Sequence, residues 1–265
     1  MAGQLMNPLI SIVVTTHRRP RLLERALESL LQQTFQDFEI VLCTDEGSYE
    51  TRQVAAAKLR ENDLFLSVPG VRGPAQSRNI GAGMARGQWL CFLDDDDSFE
   101  PDYLANASAY LGDHGAILYF DFTRLSESRD QALPVELRRE FVDQSKTASD
   151  YLFIGNFIPV NSLLLPAATA KAFPFDTRLA THEDWEWLIS LKSGSRLNFR
   201  HVPLRGPVVH LAEGESRNNP ADKAMVYALD FLSIYRKWPS SDSQIRSARG
   251  RVLASLGVGV SEDLL

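Results

Sequence analysis

Four consecutive aspartates, Asp94 to Asp97, follow directly on the apolar run WLCFL. Adjacent carboxylates repel one another unless a cation or hydrogen-bond donors lie between them. Hard divalent ions such as magnesium and manganese take oxygen ligands of this kind and share them with substrate phosphates. The plain alternative is a solvated acidic turn that caps the helix after Pro101. Placement favours the first use. WLCFL reads as a buried strand, and open α/β sheets bind their ligands beyond the carboxyl ends of the strands.

The elements that must position this run alternate regularly over the first 120 or so residues. LISIVVT (9–15), FEIVLC (38–43), LFLSV (64–68) and QWLCFL (88–93) read as buried strands. Helices are predicted from Pro20 to about Gln33, from Tyr49 to Arg60, from Pro74 to Gly87 and onward from Pro101. This alternation implies right-handed crossovers and a mainly parallel sheet. Farther on, 115–122 and SLLLP (162–166) read as strands, while the charged stretch 124–147 reads as an excursion over the sheet. HEDWEWLISLKSG reads as a helix, followed by the short strands LNFRHV and GPVVHL and a loop over 210–220. The C-terminal stretch reads as helical, with Met225, Ala228, Leu229, Leu232 and Tyr235 as its apolar face.

The chain has 265 residues, 44% hydrophobic and 23% charged, with a net charge of −6. That is the profile of a globular protein and argues against a general nucleic-acid binder. No apolar run reaches the roughly 20 residues that span a bilayer. The N-terminus lacks the pattern of a secretory signal, so a cytosolic location is expected. Cys43 and Cys91 lie in predicted strands and are expected to be reduced core residues.

Taken together, SIVVTTHRRPRLLERALESLLQQTFQDFEIVL, then DEGS, then SRNIGAGMARGQWLCFLDDDDSFEP resemble family 2 glycosyltransferases of the GT-A fold. The resemblance covers about residues 9–111, with a weaker echo at HEDWEWL. It implies a GT-A domain over 1–218, with a nucleotide half (about 9–111) and an acceptor half (about 112–218), and a helical segment over 219–265. It also implies inverting transfer of a sugar from a nucleoside-diphosphate donor to a hydroxyl of a glycan or lipid-linked acceptor. Such chemistry serves polysaccharide or glycolipid synthesis at the cytosolic face of a membrane, with peripheral association or a place in a larger assembly. Mn2+ or Mg2+ is the expected cofactor. The rival classes are a non-catalytic nucleotide- or glycan-binding scaffold and a sugar nucleotidyltransferase. The latter needs a glycine-rich loop after the first strand, which THRRPRLL lacks.

Carried over onto this sequence, Asp96 is the expected metal ligand, and Asp94 or Asp95 holds the ribose or a metal-bound water. Asp97 either joins the site or caps the next helix. Thr15, His17 and Arg18 fall where the family contacts the nucleotide, although His17 and Arg18 replace the common tyrosine and asparagine. Read alone, HRR is a solvated turn. Asp45, with Glu46 second, resembles the aspartate that pairs with the base. Arg78, in the first turn of a helix, is placed for the nucleotide's phosphates. Asp184 is the expected general base, with Glu183 in reserve; read alone, the pair complements the helix dipole. One of Trp185 and Trp187 is expected in the core and the other as a platform for a sugar ring. His210 either completes the metal's coordination or is a partly buried histidine bonded to backbone, and Arg217 lies in the loop that follows.

Overall fold

β1 (Ile10–Thr16) and β2 (Phe38–Thr44) bury every residue on both faces, as their continuous β-branched runs require. They pair in parallel, and β1 pairs in parallel with β4 (Trp89–Asp94) on its other edge. The register sets Thr15 beside Asp94 on one side and beside Cys43 on the other. The seven-stranded sheet has the order β10-β6-β9-β4-β1-β2-β3. Here β3 is Leu64–Ser67, β6 Ala116–Phe120, β9 Leu163–Pro166 and β10 Asn198–Val202. Only β9 runs antiparallel to its neighbours. The chain leaves β1 for β2 on one side and later returns to β4 on the other, so β1 stands at the point where the strand order reverses. A crevice forms there at the carboxyl ends. The architecture is the expected mixed α/β one, a mostly parallel sheet flanked by helices.

The structure, a computed structural model, describes residues 7–70, 73–112, 115–131, 134–179, 181–213 and 220–265, with side chains described from 225 onward in the last stretch. Arg217 lies outside the described residues. α1 (Pro20–Leu31) buries Leu23, Ala26, Leu27 and Leu30, while Leu22 and Leu31 sit at the margin of its expected stripe. α2 spans Tyr49–Lys58, α3 Gly73–Met84, α4 Tyr103–Ser108 and α5 Ala167–Ala172. α3 lies close on β1: a Cβ on Gly81 would stand 2.4 Å from Cγ1 of Val13, so only glycine allows the approach. Cys43 and Cys91 are free and buried in the strands, as expected.

A second, four-stranded sheet has the order β5-β11-β7-β8. It comprises β5 (Ser98–Phe99), β7 (Phe122–Ser128), β8 (Val135–Val142) and β11 (Pro207–Ala212). It overturns the expectation of an excursion over 124–147. β7 and β8 form an antiparallel pair, and β8 is an edge strand whose side chains are mostly exposed. Charge on an exposed edge blocks further pairing, which is why the segment reads as polar.

α6 (Glu183–Gly194) and the C-terminal helices α7 (Pro220–Lys237) and α8 (Ser243–Ser255) pack beside the large sheet, and Ile234, Tyr235 and Leu253 join its core. The buried face of α7 differs from the expected one, because Met225 and Leu229 are exposed. Asp230 is buried and accepts from the backbone N–H and hydroxyl of Thr181, which turns that side inward. Among the described residues no helix is long and apolar enough to cross a membrane.

Candidate active site

A cavity of about 660 Å3 opens at the carboxyl ends of β1, β2 and β4. Its lining includes Thr15, His17, Arg18, Asp45, Arg78, Asp94 and Glu183, all expected from the sequence, together with Arg19. Its size suits a nucleotide-sized ligand.

The acidic run is held by donors from three directions. Thr15 donates its hydroxyl to Asp94 (3.0 Å), and Thr16 donates to Asp95 (2.7 Å). Arg78, buried in the second turn of α3, clasps Asp94 with one nitrogen (2.7 and 3.0 Å) and reaches Glu183 with the other (2.8 Å). It thereby ties the end of β4 to the start of α6, elements far apart in sequence. Burial alone would raise the pKa of Asp94, but the Arg78 guanidinium outweighs it and the carboxylate is held low. Asp95 is fully buried, and burial pushes its carboxyl up to about 7 despite the opposing charge of Arg19.

Arg19 donates through Nε to Asp95 (3.2 Å) and through Nη1 to Asp96 (2.6 Å). Its Nη2 stands 2.5 Å from Oδ1 of Asp95, so the guanidinium pairs with both carboxylates. Carboxylate oxygens on Asp94, Asp95 and Asp96 are the donor chemistry a hard divalent ion requires, and by that chemistry the run fits such an ion.

Of the expected set, Asp95, Asp96 and Asp184 do not line this cavity, and Asp97 and His210 are turned to other partners. Asp97 does not cap the next helix. It is buried, and it accepts from the His210 backbone N–H (2.9 Å) and from the Asn161 amide (2.9 Å), locking the run between the two sheets. Burial, with Asp96 and Asp94 nearby, holds its carboxyl well above the usual range. His210, expected to complete a metal site, has Nδ1 3.0 Å from Glu127 and Nε2 2.9 Å from Ser98. Both ring nitrogens are occupied, and the ring lines a separate cavity beside α1 with Arg25, Leu125 and Glu127. The reason is Glu127. This buried carboxylate on β7 also accepts from Arg25 (2.7 Å) and Arg129 (2.7 Å). Burial would raise its pKa, but the His210, Arg25 and Arg129 hydrogen bonds lower it to about 2.

His17 and Asp45 meet across the cavity mouth, Nδ1 to Oδ1 at 2.6 Å. Arg18 is largely exposed, has φ 52° and lies 3.8 Å from Glu46. α6 begins at Glu183, preceded by His182 in the left-handed region (φ 58°). Asp184 accepts from Asn156 (2.9 Å) and from the Trp185 N–H (2.8 Å). Burial and the neighbouring Glu183 push its pKa up to about 6, with Arg78 opposing. Trp185 and Trp187 are both fully buried, so neither offers a sugar platform. Their indole N–H groups satisfy the carbonyls of Leu152 and Phe173. Sequence reasoning did not single out Arg19, Arg25, Glu127, Arg129, Asn156 or Asn161. Only Arg19 left a local signal, an arginine where a helix N-cap favours Ser, Thr, Asp or Asn.

Among the described residues, the carboxylates and histidine whose ligand atoms converge within 4.8 Å of one another are Asp121, Asp143 and His201, outside the cavity. Nε2 of His201 is already 2.8 Å from Asp121.

A sequence profile described as Glycosyl transferase family 2 matches residues 11–167. The chain is 24% identical over 197 residues to a glycosyltransferase of Methanocaldococcus jannaschii, covering 71% of this chain and 66% of that one. It is 37% identical over 93 residues to the GalNAc(5)-diNAcBac-PP-undecaprenol beta-1,3-glucosyltransferase of Campylobacter jejuni, covering 34% and 30%. The matches thus span less than two thirds of either relative. Among solved structures, S. aureus TarS 1-349 in complex with UDP-GlcNAc superposes with a TM-score of 0.63 at 19% identity, covering 94% of this chain and 72% of TarS 1-349. The mannosyltransferase PcManGT from Pyrobaculum calidifontis, in complex with GDP-Man and Mn2+, gives 0.65 at 15%, covering 96% and 74%. The profile match over more than half the chain leads to one conclusion: this chain belongs to glycosyl transferase family 2.

Proposed function

We propose that the chain transfers a sugar, with inversion, from a nucleoside-diphosphate sugar to a hydroxyl of a glycan or lipid-linked acceptor, within polysaccharide or glycolipid synthesis. The observation that carries this reading is Arg78, which joins Asp94 and Glu183 across one cavity. The ligand-holding run and the acidic helix start therefore face the same ligand.

The chain's residues divide the work by their surroundings. His17, Arg18 and Asp45 receive the nucleoside at the ends of β1 and β2, and Arg78 steadies the donor beside Asp94. Asp94 and Asp96 would hold a divalent cation. Such an ion, when bound, supplies positive charge where the leaving diphosphate becomes more negative. Asp184 removes the acceptor's proton. Glu183 suits that role less, because Arg78 already engages its carboxylate at 2.8 Å, whereas Asp184 is raised toward neutrality. Inversion follows from a single displacement needing one base. UDP-GlcNAc and GDP-Man in the neighbouring structures favour a nucleotide-sugar donor and leave the base open between uridine and guanosine.

The test is turnover of UDP-, GDP- and dTDP-sugars with Mn2+, read by release of the nucleoside diphosphate and by NMR of the product's anomeric configuration. Asp184→Asn is expected to cut turnover by about 100-fold to 10,000-fold while circular dichroism stays unchanged. A product that retains configuration, or an undiminished D184N variant, would overturn the mechanism. Donor binding without any turnover would point to a binding domain instead.

A further inference from the structure

We propose that Arg19 is a built-in counter-ion of Asp95 and Asp96 which must leave for a divalent cation to bind, and that it is then free for the donor's phosphates. This rests on the cation site of the proposed function.

Arg19 stands where its own helix does not favour it. It is the N-cap residue of α1, makes no side-chain cap, and places a cation at the positive end of a helix with no acidic residue in its first turn. What holds it is the acidic run. Its fork spans Asp95 and Asp96 at 2.5–3.2 Å. Asp95 lies fully buried beneath it. The backbone is arranged for this. Arg18 turns at φ 52°, which sends His17 toward Asp45 and Arg19 back over the aspartates.

A guanidinium has no lone pair to share with a metal, and its Nη1 covers Oδ2 of Asp96 at 2.6 Å. Arg19 and a cation therefore compete for the same oxygen. Arg19 also lines the nucleotide-sized cavity, so the side chain released from Asp96 has a diphosphate within that same space to bind. Cation and nucleotide then assist each other through one residue.

The experiment is Mn2+ titration of the protein without donor, followed by electron paramagnetic resonance of free Mn2+. Arg19→Gln should bind Mn2+ about tenfold or more tightly than the unaltered protein, a change of about 1.4 kcal/mol. Arg19→Lys, which keeps the charge and loses the fork, should fall between and serves if the glutamine variant folds poorly. Arg18→Gln removes an equal charge from the same cavity and should shift affinity by less than about twofold. Adding UDP or GDP should tighten Mn2+ binding more in the unaltered protein than in R19Q. Equal Mn2+ affinity in R19Q and the unaltered protein, or equal gains in R19Q and R18Q, would overturn the inference and leave the cation site standing. No Mn2+ binding by any form, with or without nucleotide, would overturn both the inference and the cation site, while turnover in chelator would still report transfer itself.

Discussion

At the scale of single residues, proton affinity separates Asp94 from Asp184, the proposed base. Asp94 is kept ionised by Arg78, whereas Asp184 rises to about 6 through burial and the adjacent Glu183. A base must be unprotonated to accept a proton, so turnover should fall as pH drops through about 6. Asn156 makes this testable. Its amide donates to Asp184 at 2.9 Å, and its own oxygen is fixed by the Ile158 N–H at 3.1 Å. A donor to a carboxylate stabilises the charged form, so removing it raises the pKa further. Glu183 and Asp94 push in that same upward direction and Arg78 opposes them. Asn156→Ala should therefore move the acidic limb of the pH–rate profile upward by about half a unit to one unit and lower kcat by about tenfold. A pH–rate series on both proteins checks it. A limb that stays in place would mean that Asn156 does not act through Asp184.

At the scale of elements, the site depends on how closely α3 lies on β1 and β2. Arg78 sits one turn before Gly81, whose missing Cβ leaves room for Val13 and for Cys43 at 3.1 Å. Gly81→Ala should lift the helix, cost about 1–3 kcal/mol through overpacking, and draw Arg78 away from Asp94 and Glu183. The expected readings are a lowered Tm and a raised KM for the donor; a raised KM without loss of Tm would exclude the packing cause. Elements of this kind were legible in the sequence where one period dominated. The apolar runs of β1, β2 and β4 read as strands covered on both faces, and their carboxyl ends placed Thr15, Asp45 and Asp94 together. The β7–β8 hairpin was not legible, because an edge strand carrying Glu136, Arg138, Arg139 and Glu140 has the composition of a loop. The placement of His210 was hidden for a related reason. It depends on Glu127, which only the hairpin brings to β11. Similarly, nothing in local sequence says that Asn156 will meet Asp184, since a tertiary contact leaves no periodic trace.

At the scale of the whole molecule, the C-terminal helices steady the segment next to Asp184. The segment that carries Asn156 has few regular hydrogen bonds of its own and is tied down from outside. Tyr235 of α7 donates its hydroxyl to the Ile154 carbonyl (2.7 Å), and Arg249 of α8 donates through Nε to the Phe153 carbonyl (2.7 Å). Arg249 is fully buried, with its guanidinium 4.6 Å from the Tyr235 ring centre, and it also donates to the Leu265 carbonyl (2.5 Å). Burial lowers its pKa, with Tyr235 opposing, so the charge is held at a cost that only these acceptors offset. Replacing Arg249 with alanine leaves two carbonyls without their donor and opens a hole against Tyr235. About 3 kcal/mol of stability should be lost, lowering Tm by about 6–12 °C. If α8 acts on the site through residues 153–156, turnover measured well below the new Tm should fall as well, with the acidic limb moved in the direction expected for Asn156→Ala. A purely structural contribution would lower Tm and leave the pH profile of the folded fraction where it was. Thermal denaturation and a pH–rate series on the same R249A preparation separate these outcomes, and a limb that moves would show that the C-terminal helices position the proton acceptor as well as stabilise the fold.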